Sequence, residues 1–541
     1  MMTARVDAET VPIGRSLGSG KLKQAQRRLY VPAALRLDML LAGFLVLATF
    51  LVHDVGYMFS HPFWTDEAWV AISTRLPLHQ ITQVTASTPI GWSALLRLVF
   101  FGGDERLRAV PLLFSALTVV AAYAYARSLP WPRLLINRLA SVMAGVAALM
   151  MPSSLARDDL KQYTADAFFA LVVLWAVSRL EAKWTRPRLT TLAGVVVVAF
   201  FFSAVAVFVG VAAFGSVVLI SVLRRNWDQT RQAAAVGAGC GALLLTTFLL
   251  VYRPGIPPGL HLYWAASYLP VEKGWVASWH YLATNGSKMA TYLGMGPVLI
   301  ALLLLVIGVV TMVRMRRPAV AMVVPALLAE MVVLGALKQY PLFDMRTSHF
   351  LTVAFGVTIV IGVGGLCQLA ARVHRRLPVL VAVVALGLFF ANGQVRSGIR
   401  SHPIANEDPR TATQYIAAHW RPGDVIVVGM NTNWGFAYYW PTGTPTTQSV
   451  TSNLQRFITV FPDQPRILVT PDRTATAVNA TIVEAAKVAR STGSTGRIWV
   501  IHDRVISSEL KAFQRSARAE HLASTSIFGH RLEVLTRMDS S

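Results

Sequence analysis

Up to about residue 393 the chain is a succession of long apolar runs separated by short polar segments, several of them rich in arginine. A run of roughly 20 apolar residues suits a helix that crosses a bilayer, where each backbone polar group must find its partner inside the segment. That pattern outweighs length, since 541 residues alone would suggest about three or four soluble domains. Only 14% of residues are charged and the mean hydropathy is +0.50, against roughly 25% charged in an ordinary soluble domain. These values speak against a soluble globular enzyme and exclude a disordered or fibrous chain. The expected fold class is an α-helical polytopic membrane protein with a C-terminal α/β domain. Its expected parts are a basic cytoplasmic segment 1–36, a transmembrane domain 37–393 and an extracytoplasmic α/β domain 394–541.

The 50 Lys and Arg against 27 Asp and Glu give a formal net charge of +23. Much of the excess sits between apolar runs. This is the positive-inside pattern, so membrane lipid is the expected partner and nucleic acid is not. Cys240 and Cys367 both fall within apolar runs and read as small core residues, with no disulfide framework or metal motif around them. The run after Arg36 lacks a small-residue cleavage site and reads as a retained first helix with a cytoplasmic N-terminus.

Spans are expected at 37–53, 109–128, 137–153, 163–180, 233–252, 294–313, 319–337, 350–371 and 377–393. The segment 191–223 is too long for one span and short for two. Cations flank both of its ends (Lys183, Arg186 and Arg188, then Arg224 and Arg225), so it reads as a hairpin of two short helices. The segment 89–102 reads as a helix lying along the outer surface. That choice puts the basic loops near Arg133, Arg316 and Arg375 inside. The result is about eleven spans in the cell membrane, N-terminus in and C-terminus out. The Ala-, Val- and Arg-rich usage suits a GC-rich bacterium.

The outer loops are then 54–108, 154–162, 253–293 and 338–349. Against the positive-inside trend they hold Arg157, Lys161, Lys338, Arg346 and His349, with the carboxylates Asp66, Glu67, Asp158, Asp159, Asp166 and Asp344 close by. Charges near a bilayer are costly, so a cluster of them at one face of an apolar bundle marks a site. The sharpest motif is Trp64-Thr65-Asp66-Glu67-Ala68-Trp69. Its plain reading is a helix start with acids at the positive end. Its functional reading is a carboxylate pair beside interface tryptophans. The second motif runs from Arg157 to Tyr163, and on a helix Asp159, Tyr163 and Asp166 share a face. Charge neutralisation at a helix end and a catalytic role stand level there. In 338–349, Tyr340, Arg346 and His349 read either as snorkelling and interface residues or as part of the site. Aromatics of 253–293 suit a membrane belt or a sugar-stacking surface.

At these residues the chain resembles the GT-C superfamily of membrane glycosyltransferases, on the branch of protein O-mannosyltransferases and lipid A aminoarabinose transferases. The resemblance covers about 37–393. It rests on Asp66-Glu67 in the first outer loop, on the Pro-containing stretch Thr88-Pro89-Ile90-Gly91-Trp92, and on Gly103-Asp104-Glu105-Arg106 leading to Arg108-Ala109-Val110-Pro111. Arg157 to Tyr163 resembles the second outer loop of that family. The chain departs from the pattern at Thr88-Pro89, where many relatives carry a basic residue before Pro-Pro. The resemblance implies a GT-C-like bundle, a polyprenyl-phosphate-linked sugar donor and an extracytoplasmic glycan, protein or lipid acceptor in the cell envelope.

The residue types fit that chemistry. The leaving group of a lipid-phosphate sugar departs as a phosphate anion, so no general acid is needed, unlike hydrolysis with its two carboxylates. One carboxylate must take the proton of the attacking hydroxyl, which Asp66 suits, with Glu67 as neighbour or substitute. Cations must hold the phosphate as charge grows, which Arg157, Lys161, Arg346 and His349 suit. Asp158, Asp159, Tyr163, Asp166 and Tyr340 are expected to support them. No metal ligand set is assigned and no cofactor is required, although the acidic cluster has room for a divalent cation. A transporter or flippase for an anionic lipid or glycolipid is the competing reading, and it would place its polar residues near the midplane. A scaffold leaves the outer charges without a role.

Beyond residue 393, Asp408-Pro409 starts a helix to about Trp420, and 425–428, 466–470 and 497–501 read as strands separated by helices at 479–491 and 508–519. The alternation predicts a small open parallel sheet. No GxGxxG or P-loop supports a nucleotide site.

Overall fold

Each of the eleven expected spans is matched by a helix of 15–25 residues in the computed structural model, which describes residues 33–84, 88–99, 104–156, 159–401, 407–452, 455–491, 496–502, 506–529 and 531–537. The segment 1–36 lies almost wholly outside the described residues. The chain divides into two units, Met1–Phe44 and Leu45–Ser541. Of the first, residues 33–44 are described, and they begin the helix Ala33–Val52.

The other ten helices belong to the second unit. Segment 191–223 is indeed a hairpin, Arg186–Phe202 and Ala206–Leu223, broken at Ser203. Thr185 caps the first of these helices and Pro187 occupies its first turn, where a missing N–H costs nothing. Among the described residues, six helices are long and apolar enough to cross a membrane, and His349–Val373 is the most buried of them. Tyr163–Ala182 is of spanning length but carries Asp166, Arg179 and Glu181. Ile90–Val99 has ten residues, about 15 Å, half of a hydrocarbon core. Gly91 lets this short helix lie directly against the backbone of Phe201, a contact that any side chain would block.

Several helices end on a cation rather than on glycine. At Arg316 (φ 59°) the N–H of Arg317 reaches Met312 O and that of Arg316 reaches Val313 O, 2.9 Å each. Lys338 (φ 56°) ends Pro318–Ala336 the same way, with Gln339 N–H on Leu334 O and Lys338 N–H on Gly335 O. This paired closure satisfies orphan carbonyls, and the positive side chain suits the negative helix end. Lys338 is thus a helix terminator, and its Nζ meets Glu272 in an exposed pair.

The C-terminal part differs from expectation in one respect. Strands β1 (Val425–Val428), β4 (Ile467–Val469) and β5 (Ile498–Ile501) are parallel as read, in the order β4-β1-β5. However, β6 (Leu522–Ser526) and β7 (Leu532–Arg537) form a hairpin whose β7 joins β5 antiparallel. The sheet is therefore mixed. Strand β6 is mostly exposed and polar, so it lacks the apolar run that marks a buried parallel strand. A separate antiparallel pair, β2 (Thr446–Ser449) with β3 (Phe457–Val460), lies outside this sheet.

One apolar core runs from the loop 54–108 into this α/β part. Phe63, Ala68, Ile72 and Trp92 belong to the same cluster as Trp434, Phe436, Tyr438 and Trp499. The helix Asn433–Tyr439 packs on the helix Thr65–Ala71. Its Gly435 lies so close to Pro409 that a Cβ there would stand 2.7 Å from the ring.

Candidate active site

The helix Thr65–Ala71 organises the site. It has only seven residues, and its N-cap Trp64 makes no side-chain capping bond. The missing cap comes from far along the chain: Thr65 N–H donates to Glu407 Oε2 at 2.9 Å. Tyr439 Oη accepts from Phe63 N–H at 2.7 Å, and the Trp69 and Trp434 rings stack 6.0 Å apart. The α/β part therefore fixes both ends of the short helix that carries Asp66.

Asp66 is partly exposed, and its Oδ2 accepts from Arg346 Nη1 at 3.0 Å. The guanidinium lies 5.8 Å from the Trp64 ring centroid, a cation–π contact. Arg346 is delivered by a tight turn: Asp344 Oδ1 accepts from the N–H groups of Arg346 and Thr347, 3.0 Å each. Tyr281 holds that turn from the helix Trp275–Tyr292, donating to Leu342 O and Ser267 O at 2.9 Å. Burial disfavours the Arg346 charge, but the phenols of Tyr163 and Tyr263 and the carboxylates of Asp66 and Asp344 outweigh it, so its proton is held more firmly than usual.

Glu67 is placed differently from its neighbour. Glu67 and Arg108 are both fully buried, joined by Nη2–Oε2 at 2.5 Å and Nε–Oε1 at 2.9 Å. Arg108 also donates to Met58 O, His61 O and Pro62 O and lies over the Phe63 ring. Glu67 Oε1 accepts in addition from Leu160 N–H at 2.9 Å. Both Glu67 oxygens are thus engaged by cation and backbone, which sets Glu67 apart from the partly exposed Asp66, expected as the base with Glu67 as its substitute. Sequence reading saw Arg108 only as part of a loop motif, and missed it as the partner of Glu67.

Lys161 is buried, and its Nζ stands 5.5 Å from the Trp69 ring centroid. Asp159 and Tyr163 are buried beside it in sequence. Arg157 and Asp158 lie outside the described residues. Asp166 is buried one turn into Tyr163–Ala182. His349 opens the helix His349–Val373 and lines a small cavity with Ser115, Thr118, Ser154 and Thr164 rather than the Asp66 surface. Tyr340 donates from Oη to Thr347 O at 2.9 Å. Burial, reinforced by Asp166, Tyr163 and Asp344, pushes its phenol far up, so it remains a neutral donor. Among the described residues, no three His, Cys, Asp or Glu side chains stand together as a metal-ligand set. The geometry thus brings Asp66, Lys161 and Arg346 to one end of the bundle, framed by Trp64, Trp69 and Trp434. Glu407 and Trp434 had no signal in the sequence.

No family model and no curated protein matches the chain. Solved structures do. The chain resembles ArnT from Cupriavidus metallidurans bound to undecaprenyl phosphate, with a TM-score of 0.53 at 13% identity over 94% of this chain and 98% of that one. The apo form of the same protein gives a TM-score of 0.51 at the same identity and coverage. The oligosaccharyltransferase of Archaeoglobus fulgidus, in complex with Zn and sulfate, gives 0.53 at 10% identity over 85% of this chain and 68% of that one. At such identities the likeness is one of fold. The chain is a multi-pass membrane protein with the fold that these structures share.

Proposed function

We propose that the protein is a membrane glycosyltransferase that moves a sugar from a polyprenyl-phosphate donor to an acceptor hydroxyl on the extracytoplasmic side, with inversion. One observation carries the reading: a partly exposed carboxylate and two cations from three separate loops meet at one end of an apolar bundle. The likeness to a fold seen with undecaprenyl phosphate supports the donor class. In the reaction Asp66 takes the proton from the acceptor hydroxyl, whose oxygen attacks the anomeric carbon. The bond from that carbon to the phosphate oxygen breaks, and the electron pair leaves with the phosphate. Arg346 grips phosphate oxygens through its planar fork, and Lys161 adds a point charge. Charge that grows on the leaving group is met by cations already in place. The aromatic frame suits the apolar face of a sugar ring.

The test is mass spectrometry of the lipid that co-purifies with the protein, followed by turnover in proteoliposomes with undecaprenyl-phosphate-linked sugars. Released undecaprenyl phosphate is the expected product, absent with Asp66→Asn. Continued release by a folded Asp66→Asn protein would remove Asp66 as base.

A further inference from the structure

We propose that Glu67 is a positioning residue: through the backbone of Leu160 it sets Lys161 in register with Asp66, so that base and phosphate-holding cation are spaced by one short helix. The inference rests on the functional reading above. Leu160 lies between Asp159 and Lys161 and is held on both sides. Its N–H donates to Glu67 Oε1 at 2.9 Å, and its carbonyl accepts from Trp92 Nε1 at 3.0 Å. Glu67, Trp92 and the Leu160 side chain are all fully buried, so water does not compete for these bonds. The ammonium of Lys161 in turn lies over Trp69, two positions beyond Glu67 on the same helix. Lys161 is therefore referenced to Thr65–Ala71 at both its backbone and its head group. Asp66, the residue before Glu67, turns the other way, to Arg346. Arg108 neutralises Glu67 and fixes its carboxylate plane through two bonds, which aims Oε1 at the Leu160 amide.

The sign of one measurement separates positioning from simple charge. Removing a carboxylate near an anion site should, by electrostatics alone, tighten anion binding. Loss of a positioning bond should weaken it. The probe is undecaprenyl phosphate, titrated onto the full-length protein in lipid nanodiscs. Lys161→Ala should weaken binding roughly ten- to hundredfold, the scale of one charge-assisted contact. Glu67→Ala should weaken it roughly tenfold, whereas Glu67→Gln, which keeps an acceptor for Leu160 N–H, should stay within about threefold of wild type. Trp92→Phe removes only the tether on the carbonyl side, spares the buried ion pair, and should weaken binding several-fold. It decides the matter if Glu67→Ala does not fold. Tighter or unchanged binding in folded Glu67→Ala, or unchanged binding in Trp92→Phe should Glu67→Ala not fold, overturns the inference while Lys161→Ala still binds weakly. Unchanged binding in Lys161→Ala instead overturns the donor-site reading itself.

Discussion

Arg346 donates to Asp66 across 280 positions of sequence, Nη1 to Oδ2 at 3.0 Å, so the proposed base and a proposed phosphate ligand hold one another before any substrate arrives. A donor phosphate and the Asp66 carboxylate then compete for one guanidinium. Asp66→Asn should bind undecaprenyl phosphate more tightly by about 1 kcal/mol, roughly fivefold, the upper end for a partly exposed pair. Arg346→Ala should bind it more weakly, by about 1.5–3 kcal/mol. Isothermal titration of both variants and of the double variant gives the coupling directly. Weaker binding in Asp66→Asn would contradict this competition.

The second expectation concerns Arg108. Its charge is fully buried and is balanced by Glu67, with three backbone carbonyls in support. Arg108→Ala leaves a buried carboxylate without its counter-ion, a loss of about 3–5 kcal/mol. Thermal unfolding in detergent should show a marked drop in midpoint, larger than for Arg346→Ala, whose pair is partly exposed. Equal drops would mean that water reaches the Glu67 site.

Glu407 gives the α/β part a measurable role. Its carboxylate caps the helix that carries Asp66, a charge-assisted bond worth about 1.5–3 kcal/mol. Glu407→Ala should speed hydrogen exchange across residues 64–68 while β1 and β5 keep their protection. Glu407→Gln, which retains an acceptor, should exchange near the wild-type rate. Exchange unaltered in Glu407→Ala would show that the stacked Trp69 and Trp434 suffice.

Acid should loosen the same part of the chain. Burial raises the proton affinity of Asp424, but hydrogen bonds from Arg497, Trp499 and the Arg421 backbone outweigh it and hold the carboxyl below its ordinary value of 3.8. A depressed folded value stabilises the fold above the ordinary value, and that contribution fades as pH falls below about 3.8. Denaturant titrations followed by tryptophan fluorescence should lose stability in that window. Asp424→Asn should be less stable near neutrality and flatter in its acid response. An acid slope identical to wild type would assign the transition to other carboxylates.

The helical bundle was legible because a spanning helix closes its own hydrogen bonds, so each run of apolar residues carries its own fold information. Arg186 to Arg225 read correctly as a hairpin because its flanking charges carry side information. Asp66, Lys161 and Arg346 stood out as charges where the topology expects few. What stayed hidden depends on contacts far apart in sequence. Thr65 and Glu407 are 342 positions apart, and neither residue type announces the other. Glu67 looked equivalent to Asp66 because adjacent residues on a helix point about 100° apart, and only tertiary packing decides which one meets Arg108. The β6–β7 hairpin was missed because Leu522–Ser526 is polar and exposed, without the apolar run that signals a buried strand.

Sidedness underlies the whole proposal. Asp66, Lys161 and Arg346 meet at one end of the bundle, which an odd number of spans between the first two would forbid. Ile90–Val99 is too short to cross, so the loops that hold these residues share a face with the α/β part, away from the cationic helix ends at Arg225 and Arg316. The positive-inside bias supports the proposal that the site lies outside the cytoplasm. Single cysteines at His79, Ser287 and Ser491, all exposed, in a background without Cys240 and Cys367, should react with an impermeant thiol reagent in intact cells. Cysteines at Asn226 and Arg375, also exposed, should react only after the cells are opened. Labelling of Asn226 and Arg375 in intact cells, with protection of the other three, would put the site in the cytoplasm and with it the acceptor. A split between His79 and Ser287 would break the even count of spans between them, and the shared site of Asp66 and Arg346 would not survive it.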